Sequence, residues 1–172
     1  MSSILRRSSW AKIVCLPLLV LFAPTSLRAE NQVGGHFGFV FPLVSRTGDV
    51  TTSIADDFVI GFPMGVTIKK TDKLAFDLEL VPVIQNDPLN VNLTVHPGVI
   101  WGLPNRVGAG IRLAFDIKDS SWGFTPLINK SFPMSPGTAF FTELVLPSRF
   151  QNDAKRNRQN SFGFGIHFGV GF

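Results

Sequence analysis

The closing residues of the chain read Ser161-Phe-Gly-Phe-Gly-Ile-His-Phe-Gly-Val-Gly-Phe172. Phe162, Phe164, Ile166, Phe168, Val170 and Phe172 share one parity, and Gly163, Gly165, His167, Gly169 and Gly171 share the other. Successive side chains of a strand leave on opposite faces, so one face here is large and apolar and the other nearly bare. A soluble sheet buries its apolar face and shows water a polar one. A face made mostly of glycine does not resemble a protein surface.

Working back from this stretch, the same alternation recurs in seven earlier segments. The first, about 32–43, sets Val33, Phe37, Phe39, Phe41 and Leu43 on the apolar parity. The second, about 57–68, offers Phe58, Ile60, Phe62, Met64, Val66 and Ile68. The third, about 74–84, sets Leu74, Phe76, Leu78 and Leu80 against Asp77 and Glu79, and the fourth, about 91–102, carries Val91, Leu93, Val95, Val99 and Trp101. The fifth, about 106–117, opposes Val107, Ala109, Ile111, Leu113, Phe115 and Ile117 to Arg112, Asp116 and two glycines. The sixth (about 121–132) and seventh (about 138–146) complete the series, the seventh with Glu143 inward and Phe140, Leu144 and Leu146 outward. No 3.6-residue period appears after residue 29, so the expected class is all-β. Eight strands of roughly 10–12 residues suit a bilayer crossed at about 45° of tilt.

The terminal alternation ending in Phe172 resembles the closing strand of small bacterial outer-membrane β-barrels. That resemblance implies a closed antiparallel up-and-down transmembrane β-barrel of about eight strands in the cell envelope of a Gram-negative bacterium, with porin-like architecture. It also implies that Phe164, Ile166, Phe168, Val170 and Phe172 form the strand that outer-membrane assembly machinery reads. Outer-membrane lipids and lipopolysaccharide would be its surroundings. The resemblance covers architecture and address, not molecular activity.

The first 29 residues read as a cleaved signal peptide, leaving residues 30–172 as the barrel domain. Arg6, Arg7 and Lys12 precede an apolar run from 13 to 23, too short to span a membrane as a helix. Cleavage is expected after Ala29, although Leu27 is large for its place before the cut. Cys15 is the single cysteine and lies in this leader, so the domain is expected to have no disulfide. The +4 formal charge also originates there. Beyond Arg28 the basic and acidic residues balance, leaving only the short Lys155, Arg156, Arg158 group, and nucleic acid is not an expected partner.

Three short connections, 69–72, 103–105 and 133–137, are expected as periplasmic turns. Four others, 44–56, 85–90, 118–120 and 147–160, are expected outside, the first and last as long solvated loops. Phe41, Phe58, Phe115, Trp122 and Phe162 would form one aromatic belt and Trp101, Phe132 and Phe172 the other. Pro42, Pro63, Pro82, Pro97 and Pro126 conflict with a closed sheet, unless Pro42 and Pro82 lie near the outer rim and the others mark bulges.

The inward parity collects His36, Asp77, Glu79, His96, Arg112, Asp116, Glu143 and His167. Heights counted from the turns predict a Glu79–His96–Arg112 ladder and a Glu143–His167 contact. Such a cluster suits an internal plug, or a narrow pore whose charges set selectivity. Three histidines and several carboxylates could bind a metal, but no two histidines sit at close ligand spacing, and no catalytic residue, metal or cofactor is expected. There is no G-x-S-x-G segment, and His96 is followed by Pro97 and Gly98 rather than the His-x-Ser-Asn of the lipid A deacylase barrels. A lipid-modifying barrel enzyme and a surface-recognition barrel acting through its outer loops are the alternatives.

Overall fold

A computed structural model of the protein describes residues 32–86, 88–118, 120–151 and 160–172. The signal-peptide and cleavage-site expectations, and the Lys155–Arg156–Arg158 group, lie outside the described residues. Eleven strands follow in order: β1 (Gln32–Thr47), β2 (Val50–Ser53), β3 (Val59–Gly61), β4 (Met64–Thr71), β5 (Leu74–Gln85), β6 (Asn90–Leu103), β7 (Val107–Asp116), β8 (Ser121–Ser135), β9 (Thr138–Val145), β10 (Ser148–Gln151) and β11 (Ser161–Gly171). One 3₁₀ turn, Pro104–Arg106, links β6 to β7.

The ladders are antiparallel and return to their start. β1 pairs with β4, and pairing then runs through β5, β6, β7, β8 and β9 to β11. β11 pairs with β1 from Gly171↔His36 to Ser161↔Thr47. Beyond the end of that ladder, Phe172 and Gly35 exchange backbone hydrogen bonds of 2.8 and 2.9 Å. β3 lies between β1 and β5 as the continuation of β4, and β10 lies between β8 and β11 as the continuation of β9. The eleven strands therefore make eight staves of a closed sheet.

Several expected boundaries are corrected. The second segment is broken at Phe62 and Pro63, because a proline cannot donate to a ladder. The exposed backbone groups are still satisfied: Phe62 N–H donates to Pro82 O and Gly38 N–H to Pro63 O, each at 2.9 Å. The bulge falls instead beside Pro42, with the β1–β11 register shifting between Pro42 and Val44. That shift moves the outward parity from the expected Leu43 to Val44, which is exposed. Pro82, Pro97 and Pro126 stay in register without a bulge. The expected loop 44–56 contains a hairpin of β1 with β2, turning at Gly48 with φ 59°. Beyond it Asp56 accepts the Ser53 N–H (2.8 Å) and hydroxyl (2.7 Å), which hold its carboxyl below the usual carboxylate range. The expected loop 147–160 begins as β10.

The burial pattern is inverted relative to a soluble core. Among the described residues, four hydrophobic side chains are buried, Val81, Ala114, Leu127 and Val145, against ten polar or charged ones. Exposed large hydrophobics ring every stave, including Phe37, Leu78, Val91, Leu113, Ile128, Leu144 and Phe164. Water would charge about 25 cal/mol for each Å² of such surface, so an aqueous exterior is strongly disfavoured.

The seam between β1 and β11 allows close backbone approach only because small residues face each other. A Cβ added at Gly169 would stand 2.2 Å from Phe37 O, whereas one at Gly171 would meet nothing nearer than 3.8 Å. Gly169→Ala is therefore expected to lose the compact, heat-modifiable band of the folded barrel on a gel, and Gly171→Ala to keep it. Equal behaviour of the two variants would contradict this seam.

Candidate functional site

Three rows of side chains cross the interior, and two contain a glycine between the groups that meet. Ladder partners place His36 beside Gly65, Gly65 beside Glu79, and Glu79 beside His96. A Cβ at Gly65 would stand 2.4 Å from His36 Cε1, so only glycine lets this imidazole pass over β4 to Glu79. His36 Nε2 then lies 3.0 Å from Glu79 Oε1, and His96 Nδ1 lies 3.2 Å from Glu79 Oε2. The second row runs Asp77, Gly98, Arg112, Thr125. Gly98 leaves the same kind of gap, where a Cβ would stand 2.6 Å from Arg112 Cγ. The third row sets Glu143 between Asn129 and His167.

Arg112 joins the rows. Its Nε donates to Asp77 Oδ2 at 2.8 Å and its Nη1 to Glu143 Oε1 at 2.6 Å, while Nη2 stands 3.8 Å from Glu79 Oε1. The expected Glu79–His96–Arg112 ladder is corrected in this respect: the guanidinium binds Asp77 and Glu143 most closely. The ladder register, which heights along single strands do not contain, puts Arg112 level with Asp77. The lumen is also narrow enough for one side chain to cross to β9. Glu143 accepts from His167 Nδ1 at 3.1 Å, and Thr67 Oγ1 donates to Asp77 Oδ1 at 2.6 Å. Asp77, Glu79, Arg112, Glu143 and His167 are each at most 3% exposed.

A second layer lies toward the loop end. Asp116 accepts hydroxyl bonds of 2.5 Å from Thr94 and Ser121, and Arg149 Nε approaches its Oδ2 at 3.2 Å. Arg149 also donates to Thr125 Oγ1 (3.2 Å) and to His96 Nε2 (3.1 Å). Arg149 falls in the expected solvated loop 147–160. The β10 stave instead aims it inward, a placement signalled only by the brief alternation Ser148-Arg149-Phe150. Thr67, Thr94, Ser121, Thr125 and Asn129 were also missed, since neutral hydroxyl and amide groups carry no charge to single them out.

Below the ion network, a cavity of about 1020 Å³ opens at the turn end. His36, Asp77, Arg112, Phe141 and Glu143 line its floor, and Lys69, Lys73 and Arg106 its mouth. Phe141 meets both nearby imidazoles edge-on, with ring centroids 5.9 Å from His36 and 4.8 Å from His167. Among the described residues, His36, Asp77 and Glu79 are a group able to present metal-ligating atoms, one from each, all within 4.8 Å of one another.

On the exterior, Trp101, Phe132 and Phe172 are exposed at the turn end, and Phe58, Phe115, Trp122 and Phe162 at the loop end. Phe41 is half-buried, stacked 5.9 Å from Phe168. Phe150, unassigned from sequence, packs 5.1 Å from Trp122 and 6.4 Å from Phe162. Phe164 on β11 and Phe172 just beyond it are exposed, while Ile166, Phe168 and Val170 are half-buried on the same face.

No protein-family model matches the chain, and no curated protein matches it. Solved structures of similar fold include the outer membrane protein OprG from Pseudomonas aeruginosa, at 11% identity and TM-score 0.40, over 81% of this chain and 92% of that one. Another is the outer membrane protein AlkL in DMPC lipid bilayers, at 8% identity and TM-score 0.45, over 83% of this chain and 89% of that one.

Removing one partner from a buried ion network leaves the others uncompensated, at a cost of about 3–5 kcal/mol. Arg112→Ala is therefore expected to lower unfolding stability by about that amount, measured by guanidinium titration of the protein in phospholipid vesicles. A change under about 1 kcal/mol would mean that these charges are solvated.

Proposed function

We propose that the chain is an outer-membrane β-barrel with a structural or narrow-pore role, its lumen closed midway by the Arg112 network. The apolar exterior supports the membrane setting, because hydrocarbon accepts the surface that water would reject. The observation that carries the plugged reading is Arg112 bridging Asp77 on β5 and Glu143 on β9. A side chain held at both ends across the lumen obstructs it, leaving a blind vestibule at the turn end.

The contacts of the histidines support a non-enzymatic reading. His36 is hydrogen-bonded to Glu79, His96 to Glu79 and Arg149, and His167 to Glu143. Nucleophilic catalysis would require a hydroxyl or thiol at one of these bases. Outer-membrane lipids and lipopolysaccharide are the proposed surroundings, and the β11 face from Phe164 to Phe172 is the proposed signal for the assembly machinery.

Two outcomes test this reading. In planar bilayers the wild-type barrel is expected to show little or no steady conductance, and Arg112→Ala combined with Glu143→Ala to open a measurable cation-preferring current. A wide, steady wild-type current would rule out the plug. Leu113, half exposed midway along β7, meets acyl chains in this setting. Leu113→Arg is expected to cost about 2–4 kcal/mol in vesicle-based unfolding, against about 0–1 for an arginine placed at Leu103 near the rim. Equal costs, or a wild-type chain that stays folded and monodisperse in detergent-free buffer, would remove the membrane setting.

A further inference from the structure

We infer that the floor of the turn-end vestibule is a binding site for one divalent first-row transition-metal ion, with His36, Asp77 and Glu79 as ligands. The inference concerns the vestibule floor and holds whether or not the barrel conducts.

Charge balance is the first argument. Asp77, Glu79 and Glu143 face a single guanidinium, that of Arg112, while Asp116 and Arg149 pair with each other. The inner group thus sets three carboxylates, each at most 3% exposed, against one guanidinium. Carboxylates so buried require compensation, and a divalent ion held by two of them and His36 supplies it.

Donor chemistry and access agree. One imidazole nitrogen and two carboxylates favour ions such as Zn²⁺, Mn²⁺ or Fe²⁺ over Ca²⁺ or Mg²⁺, which take oxygen ligands alone. Ligands about 2.0–2.2 Å from such an ion on tetrahedral directions stand roughly 3.4 Å apart. The three donor atoms already lie within 4.8 Å of one another, so small side-chain rotations complete the set. The two carboxylates each have an outer partner to orient them: Thr67 and Arg112 on Asp77, and His96 on Glu79. His36 and Asp77 line the vestibule, which gives an entry path and room for a water as fourth ligand. Lys69, Lys73 and Arg106 at the mouth slow a cation's arrival without changing where it comes to rest.

The test uses the folded, EDTA-treated barrel in detergent, titrated with Zn²⁺ by calorimetry. One equivalent is expected to bind, and His36→Ala to weaken it roughly 100-fold, with folding of the variant checked by heat-modifiable migration. Lys118→Ala, on the loop side, should leave it unchanged. The wild-type barrel loaded with Co²⁺ gives a second reading without any variant: intense visible d–d bands of a low-coordinate nitrogen–oxygen site are expected. Absence of stoichiometric Zn²⁺ binding, a folded His36→Ala barrel with undiminished affinity, or a Co²⁺ spectrum like the aqueous ion would each overturn the site.

Discussion

The guanidinium of Arg112 is the interaction on which the interior depends. Once the apolar parity of every stave faces outward, the inward parity must form the core, and it holds carboxylates, imidazoles and hydroxyls instead of hydrocarbon. Such a core coheres only if each charge has a partner and each donor an acceptor. Arg112 presents five N–H groups on a plane and reaches Asp77 and Glu143 on opposite sides of the lumen. Without it three carboxylates would face one another with only imidazoles between them.

Glycine makes this reach possible. Gly65 and Gly98 sit in the rows where His36 and Arg112 extend across a neighbouring stave, and a methyl group at either site would collide with the ring or the aliphatic stem. The bare face noticed in the closing strand thus has a packing role elsewhere in the barrel. Small residues on the inward parity are the spaces that long polar side chains fill. At the β1–β11 seam, Gly38 and Gly169 serve another purpose, letting two backbones approach where the sheet closes.

The two ends of the interior differ in consequence. Toward the loops, Asp116 is bound by two hydroxyls and Arg149, and His96 links this layer to Glu79. Toward the turns, the network ends abruptly on a cavity, with Phe141 packed edge-on against the rings of His36 and His167. The loop half is thus filled with side chains and the turn half open. This leaves the charge-rich floor reachable from one side only.

Period-two alternation was enough to establish the all-β class, the eight staves and the identity of nearly every inward charge, because the pleat ties side-chain direction to parity without reference to any neighbour. Parity could not set the register between staves, and register decides that Arg112 lies level with Asp77 and that Glu79 lies between His36 and His96. It also could not foresee the break at Pro63, the parity switch after Pro42 or the inward turn of Arg149, each of which depends on where a missing N–H or a bulge falls against its partner strand. Residues 36, 77 and 79 meet only once the sheet has closed on itself. Distance along a chain says little about distance across a barrel, since closure brings together staves that sequence order keeps apart.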